Sequence, residues 1–376
     1  MNETFRLGRI RGIPIGVNWS VVVILGVLAW SLAAGYLPHA EPGYSTAEYW
    51  MVGIAAAIVF LASLLAHELG HALVAIRSGV GVHGITLWLF GGVSKLDAEA
   101  TSPTDELRIA ITGPAVSLAI AALAGAGAAA THALGAPGLL VASLAWLATI
   151  NVVLGVFNLM PAAPLDGGRV LRALLWRRRG DHLSATISAS NAGRVFGMVL
   201  IGLGILEAAA GAAGSGLWMA FLGWFLLSAA RAEQTQAVLA EALAHVPVRR
   251  IMGSPVITVP ESLTLQQLVD DVVMAHHCSS FPTTDAMGDV TGLVTLSTVR
   301  SVSRGRRSTT TVRDVATPLD QVVQVAPEDP TPDLLTRLAG SHDGRALVFD
   351  QGHLVGIVSP TDIVRMSDLA LMGATR

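Results

Sequence analysis

Apolar residues form long, nearly unbroken blocks between residues 17 and 231 and give way to short alternating runs beyond about residue 245. A membrane-crossing helix needs about 20 mostly apolar residues. Six stretches satisfy this: 17–37, 50–77, 107–131, 137–160, 193–213 and 215–231. Between the second and third, 83-HGITLWLFGGVSKL-96 loses the helical period. Its β-branched and aromatic residues and paired glycines predict strands, and 7-LGRIRGIPIGVNW-19 has the same character and can pair with it. Strand edges are not tolerated in lipid, so this small sheet must lie against protein or near the interface.

Beyond the last block, 247–303 and 311–366 read as two copies of one unit at a spacing of about 64 residues, long for a solenoid repeat and suited to a tandem domain pair. Each opens on a Val-Arg segment (248-VRRIM-252, 312-VRDVA-316), continues as a strand with turn residues (256-VITVPESLT-264, 322-VVQVAPEDP-330) and closes as strand–turn–helix (292-GLVTLSTVR-300, 356-GIVSPTDIV-364). The fold class expected is a polytopic α-helical membrane protein with a small membrane-associated β-sheet, followed by a C-terminal α/β tandem module. The boundaries expected are a membrane domain over 1–235, a linker over 236–246, and the two copies over 247–305 and 306–368.

Composition sharpens this division. Charged residues are only 14% of the 376-residue chain, against about 25% in soluble domains, and the deficit is confined to the apolar blocks. Arg6, Arg9 and Arg11 precede the first block. That block is too long for a signal-peptide core and resembles the later spans, so it is expected to be retained. Lys and Arg then alternate between loops. The 38–49, 132–136 and 211–216 loops have none, whereas Arg77 and Lys95, the cluster Arg169, Arg172 and Arg177–Arg179, and Arg231 mark the other side. By the positive-inside rule both termini and the tandem module are expected in the cytoplasm of a multi-pass cell-membrane protein. A net charge of −3 without a basic block argues against nucleic acid as a partner. The single cysteine, Cys278, rules out an intrachain disulfide and a thiolate zinc cluster, and is expected to be a small core residue.

The chemistry centres on 67-HELGH-71. On a helix His67 and His71 project from one face and can share a metal, with Glu68 placed to take a proton from water activated there. The bland alternative is a satisfied polar pair in a helix bundle. Three ionisable side chains within a membrane block are costly, which favours the metal. Catalytic zinc takes three protein ligands and keeps a position open. Asp166, in 158-NLMPAAPLDGGRVL-171, follows a Pro-rich break that can turn its carboxylate inward, although it could instead cap a helix over 167–176. Glu207 has no motif around it and is expected to find a structural partner.

His67, Glu68 and His71, taken with Asn158, Pro161, Leu165, Asp166 and Gly167, resemble the paired signature motifs of the site-2 protease family; 12-GIPIGVNWS-20, 91-GGVSKL-96 and 112-TGPAVSL-118 resemble it too, over residues 5–230 or so. The resemblance implies one Zn2+ held by His67, His71 and Asp166, with Glu68 as general base and Asn158 facing the cleft to hold substrate or oxyanion. The substrate implied is itself a membrane-spanning segment, such as a membrane-held anti-sigma factor or transcription regulator. An extended substrate could add as a strand on Gly91, Gly92 and Val93. The C-terminal copies resemble tandem cystathionine-β-synthase (CBS) domains, which implies an adenine nucleotide at Ser359, Thr361 and Asp362 and a homodimer through the module. Thr298 stands where the first copy would carry the matching Asp, so one nucleotide site is expected to be altered. Two other function classes fit the sequence less well. A CBS-regulated channel or transporter should show repeated membrane halves, and none is visible in 17–231. A non-catalytic binder of membrane segments would not need the complete HELGH and Asp166 set.

Overall fold

The computed structural model describes residues 4–88, 91–96, 100–244, 246–276, 278–339, 341 and 343–366. The chain divides into two compact units, Met1–Thr235 and Gln236–Arg376. In the first, strands β1 (Phe5–Ile10) and β2 (Ile13–Val17) lead into helix α1 (Ser20–Ala40) and then α2 (Thr46–Arg77). Strands β3 (Val82–Trp88) and β4 (Gly91–Leu96) follow, then helices α3 (Pro103–Ala133), α4 (Gly138–Asn158), α5 (Asp166–Arg179), α6 (His182–Ala209) and α7 (Ala213–Ala244). Six of these helices, all but α5, are long and apolar enough to cross a membrane. Large apolar side chains such as Val22, Trp30, Met51, Ile58, Leu203 and Trp218 point outward from them, as expected where lipid is the solvent.

Two helices outrun the apolar blocks that announced them. Helix α6 begins at His182 rather than near 193 because the polar residues of its first turns stay helical. Asp181 accepts from the Leu183 and Ser184 N–H groups, and Thr186 and Ser188 donate back to carbonyls four residues earlier. Helix α7 continues through Ala244, so the segment 236–246 expected as a linker is helical for most of its length. Glu207 has a structural partner, accepting from the Ser215 hydroxyl at 2.6 Å.

The expected pairing of 7–19 with 83–96 is present, with residues 89–90 outside the described set. A four-stranded sheet runs in the order β1-β2-β3-β4, with β2 and β3 parallel and the other neighbours antiparallel. Ile13, Ile15 and Ile85 of this sheet pack on Ala72, Leu65, Leu69 and Leu73 of α2. One face of α2 is therefore committed to the sheet, and β1 and β4 are its two edges among the described residues.

In the second unit the copies show the same order. A short strand (β5, Val259–Pro260; β9, Val323–Val325) lies parallel to the first arm of an antiparallel hairpin. The hairpins are β6 (Ser280–Thr284) with β7 (Val290–Thr295), and β10 (Ala346–Asp350) with β11 (His353–Val358). The copies also exchange their leading segments. Strand β8 (Thr317–Pro318), which opens the second copy, pairs with β7, and Gly253 at the equivalent place in the first copy bridges Ile357 of β11. Cys278 is free and half-buried beside the first copy's core. Residues 367–368, the expected end of the second copy, lie outside the described set.

The exchange demands glycine at two matched positions. A Cβ on Gly292 would stand 2.3 Å from the Thr317 carbonyl oxygen, whereas one on Gly356 would meet the Met252 sulfur at 2.4 Å. Backbone cannot retreat without breaking the β7–β8 pairing, but a Met side chain can swing away. Gly292→Ala is therefore expected to cost about 1–3 kcal/mol, and Gly356→Ala clearly less. Thermal unfolding of the full-length variants, followed by protease sensitivity of the C-terminal unit, measures the difference; equal midpoints would contradict the assignment.

Candidate metal centre

Helix α2 is started by a capping box between Ser45 and Glu48 and carries the HELGH segment near its other end. His67 and His71 are a turn apart and 3% and 6% exposed, on a face pressed against α3. Each imidazole is fixed by its Nδ1. That of His71 donates to the Ile109 carbonyl at 2.7 Å, and that of His67 lies 2.9 Å from the Ser117 hydroxyl. Ile109, Gly113 and Ser117 recur every four residues and so form one stripe of α3. Ile109 and Ser117 hold the two rings from either end, and Gly113 lies between them. A Cβ on Gly113 would fall 2.1 Å from His71 Nε2 and 2.5 Å from His67 Nε2. Only hydrogen fits there.

Asp166 closes the group. It stands in the first turn of α5 behind Leu165, which makes no side-chain cap. Its Oδ2 is 3.2 Å from each Nε2, and the two Nε2 atoms are 3.2 Å from one another. The helix-cap alternative is thus not what the carboxylate does. Gly167 and Gly168 allow this placement, because a Cβ at either would strike the backbone of residues 159–163 at 2.3 Å.

The three donors suit a metal on their own chemistry. With His71 Nδ1 donating to a carbonyl, neutral His71 has only a lone pair at Nε2. That lone pair faces a carboxylate oxygen and a second imidazole nitrogen, an arrangement that repels unless a cation sits among them. Bonds of about 2.0–2.1 Å in a tetrahedral zinc site separate ligand atoms by roughly 3.3–3.4 Å, close to the 3.2 Å found here. Three protein donors leave one tetrahedral position open, the pattern of a catalytic site.

Other expected residues fall at varying distances from this group. Glu68 is half-buried beside His67 and lies directly against β4, since a Cβ on Gly92 would meet its Cγ at 2.2 Å. Gly91, Gly92 and Val93 form the start of β4 and pair with Trp88, Leu87 and Thr86 of β3. Asn158 is the last residue of α4, half-buried, and among the described residues makes no hydrogen bond to the triad. In the second unit, Asp362 accepts from the Ser359 hydroxyl at 2.6 Å and from Arg365 at 3.0 Å. Ser359, Thr361 and Asp362 line a cavity of about 400 Å3 with Ser254, Val256 and Ser280 of the other copy. Sequence reasoning had noted 112-TGPAVSL-118 without assigning Gly113 or Ser117 a contact. The available signal was a small residue and a hydroxyl four positions apart in an otherwise apolar helix.

A six-span bundle holding HELGH against a carboxylate from a later helix defines a membrane-embedded metalloprotease. The chain belongs to peptidase family M50, the site-2 proteases: that family's model matches residues 55–134 and 128–202, and the CBS domain model matches 248–305 and 312–368. A Mycobacterium tuberculosis protein named as a zinc metalloprotease, Rip3, is 45% identical over 370 residues, 98% of this chain and 94% of its own. A zinc metalloprotease of Methanocaldococcus jannaschii is 28% identical over 384 residues, covering 99% of this chain and 98% of its own. The solved site-2 protease from M. jannaschii is 29% identical and covers 61% of this chain and 94% of its own, with a TM-score of 0.42. The protein is a multi-pass intramembrane zinc metalloprotease with a tandem CBS module.

Because hydrogen alone fits at residue 113, Gly113→Ala should displace both imidazoles. Purified protein is expected to lose zinc affinity by at least the roughly 10–100-fold typical of disturbed metal surroundings. Elemental analysis after dialysis against a weak chelator checks this, and full zinc occupancy would contradict it.

Proposed function

We propose that His67, His71 and Asp166 hold the single zinc, that Glu68 is the general base, and that β4 presents the substrate to them. The observation that carries this is the triangle of buried donor atoms with 3.2 Å sides. Zinc at that point would polarise the scissile carbonyl and acidify a water. Glu68, on the same helix but turned toward β4, takes the proton from that water and delivers it to the leaving amine. Asn158, at the end of the helix that leads into the Asp166 loop, steadies the substrate carbonyl.

The substrate class follows from solvation. A helix in lipid hides its peptide groups in its own hydrogen bonds, and opening it frees groups that each cost several kcal/mol in hydrocarbon. An edge strand offers replacement partners. Among the described residues β4 pairs with β3 alone, and it passes Glu68 at Gly92. An unwound membrane segment added to it would lie extended beside the base. Substrates are therefore membrane proteins cleaved within or near a spanning segment, with membrane-held anti-sigma factors or transcription regulators the expected kind. Residues 1–235 carry this chemistry, 236–246 join it to the module, and 247–305 and 306–368 are the two CBS domains. Both termini face the cytoplasm, as the Lys and Arg of alternate loops favour. An adenine nucleotide at Ser359, Thr361 and Asp362 regulates the enzyme, and the module supports a homodimer.

Glu68→Gln is expected to keep its zinc and lose about 10²–10⁴-fold in turnover. Comparing the membrane proteomes of cells carrying wild-type and Glu68→Gln protein, with zinc measured in parallel, tests this and reveals the substrates. Identical proteomes would remove Glu68 as base. Val93→Pro deletes a backbone donor from β4; turnover is expected to fall while zinc content holds. Unchanged turnover, or loss of zinc as well, would count against β4 as the docking strand.

A further inference from the structure

Helix α5 delivers Asp166 to the metal centre, and its half-buried apolar side chains, Val170, Leu171, Leu175 and Trp176, hold it at the surface of the bundle. Its buried residues are Gly167, Gly168, Arg172 and Ala173. The glycines and alanine seat the helix by fitting close, but they carry no side-chain polar group that could tie it to another helix. Arg172 is the one long side chain among the four, and its guanidinium is gripped from two directions. Nε donates to Glu106 Oε1 at 2.5 Å, and Nη2 pairs with the same oxygen. Nη1 reaches Glu233 Oε1 at 3.4 Å. Glu106 lies in the first turn of α3, the helix that also holds both imidazoles through Ile109 and Ser117. Glu233 lies on α7, which runs on from the first unit to Ala244.

We infer that Arg172 is a positioning residue for the metal centre: it locks α5 to α3 so that Asp166 meets the two histidines, and Glu233 ties α7 to the same guanidinium. This rests on Asp166 being a zinc ligand. The pair is expensive to maintain merely for stability. Glu106 is 1% exposed, and its Oε2 is buried with no hydrogen-bond partner among the described residues. A buried ion pair of this kind often contributes less than a well-packed apolar pair would, so specifying position is the better account of it. The orphaned Oε2 also shows that Arg172 is not forked across both oxygens of Glu106. A small movement of α7 that withdraws Glu233 would remove one of the two carboxylates that hold the guanidinium, loosening α5 and Asp166 with it. Glu233 sits just ahead of residue 236, where the second unit begins, so α7 is placed to bring that movement in.

The test uses full-length protein in lipid nanodiscs and follows zinc release to a chromogenic chelator. Arg172→Gln alone would strand a buried carboxylate, so the main variant is Glu106→Gln/Arg172→Gln, which removes both charges together. Release is expected to quicken about tenfold, within the range for disturbed metal surroundings. Arg172→Lys, which keeps the charge but not the fork, gives the same comparison in a variant that retains the buried pair and is expected to fall between. The deciding measurement repeats both variants in an Asp166→Asn background. If Arg172 acts through Asp166, the acceleration disappears there, whereas a general loosening of the fold would add to it. Unchanged release in the wild-type background, or acceleration that survives in Asp166→Asn, overturns the inference. Asp166→Asn that releases zinc at the wild-type rate instead overturns the ligand assignment, and the inference falls with it. Glu233→Gln is expected to quicken release by a smaller factor; no change would strike α7 from the mechanism.

Discussion

The structure turns on a repulsion that must be cancelled. Two imidazole nitrogens and a carboxylate oxygen stand 3.2 Å apart within the helix bundle, and neutral His71, its Nδ1 committed to the Ile109 carbonyl, turns a lone pair on that carboxylate. A low-dielectric interior leaves such a group unrelieved unless a cation joins it. The surrounding elements are shaped to hold the donors in that arrangement. Helix α3 is the platform, with one carbonyl and one hydroxyl fixing the rings and a glycine between them leaving room. Close glycine packing then lets α5 bring the carboxylate across the break that follows α4.

Helix α2 divides its surface between two tasks. Successive residues are about 100° apart around a helix, so His67 and His71 can face α3 while Leu65, Leu69 and Ala72 pack on the sheet. Glu68 comes out between these faces and reaches β4 at Gly92. The sheet is small and β1 is exposed along its length, yet the docking of β2 and β3 on α2 sets the distance between the β4 edge and the carboxylate beside the metal ligands. Bond-making groups and the proposed substrate platform thus share one rigid helix as a common reference.

The six spans, the sheet pairing and the HELGH face were legible because each leaves a local pattern: apolar length, β-branched runs, and four-residue spacing. Asp166 was legible through the proline and glycine break around it. The platform on α3 was not. Ser117 and Gly113 matter because of what lies across the helix contact, and the Ile109 contribution is a backbone carbonyl that no side chain announces. Helix ends were also hidden. Residues 182–192 fall outside the apolar block at 193–213, and the Asp181 side chain starts the helix there by accepting from the Leu183 and Ser184 N–H groups. The Glu106–Arg172 pair escaped for the same reason as Ser117: its members are 66 positions apart, and each alone looks like an ordinary charge near a helix end.

The two copies of the C-terminal unit are tied together by their own construction. Because each copy gives its leading segment to the other's hairpin, the copies are coupled, and a ligand gripping both would act on the pair as one body. The cavity beside Asp362 is such a place, lined by Ser254 and Val256 from one copy and Ser359 and Asp362 from the other. At the position of the first copy that matches Asp362 stands Thr298, whose hydroxyl is engaged with Thr295 at 2.9 Å, so the two copies are chemically unequal there. A ligand at one hundred times its dissociation constant can bias the module by at most about 2.7 kcal/mol. Only the part of that bias that distinguishes two states of α7 can reach Glu233 and Arg172. At that saturation the bias amounts to at most about a hundredfold in a population ratio, and the ligand's differential affinity for the two states sets how much of it is realised.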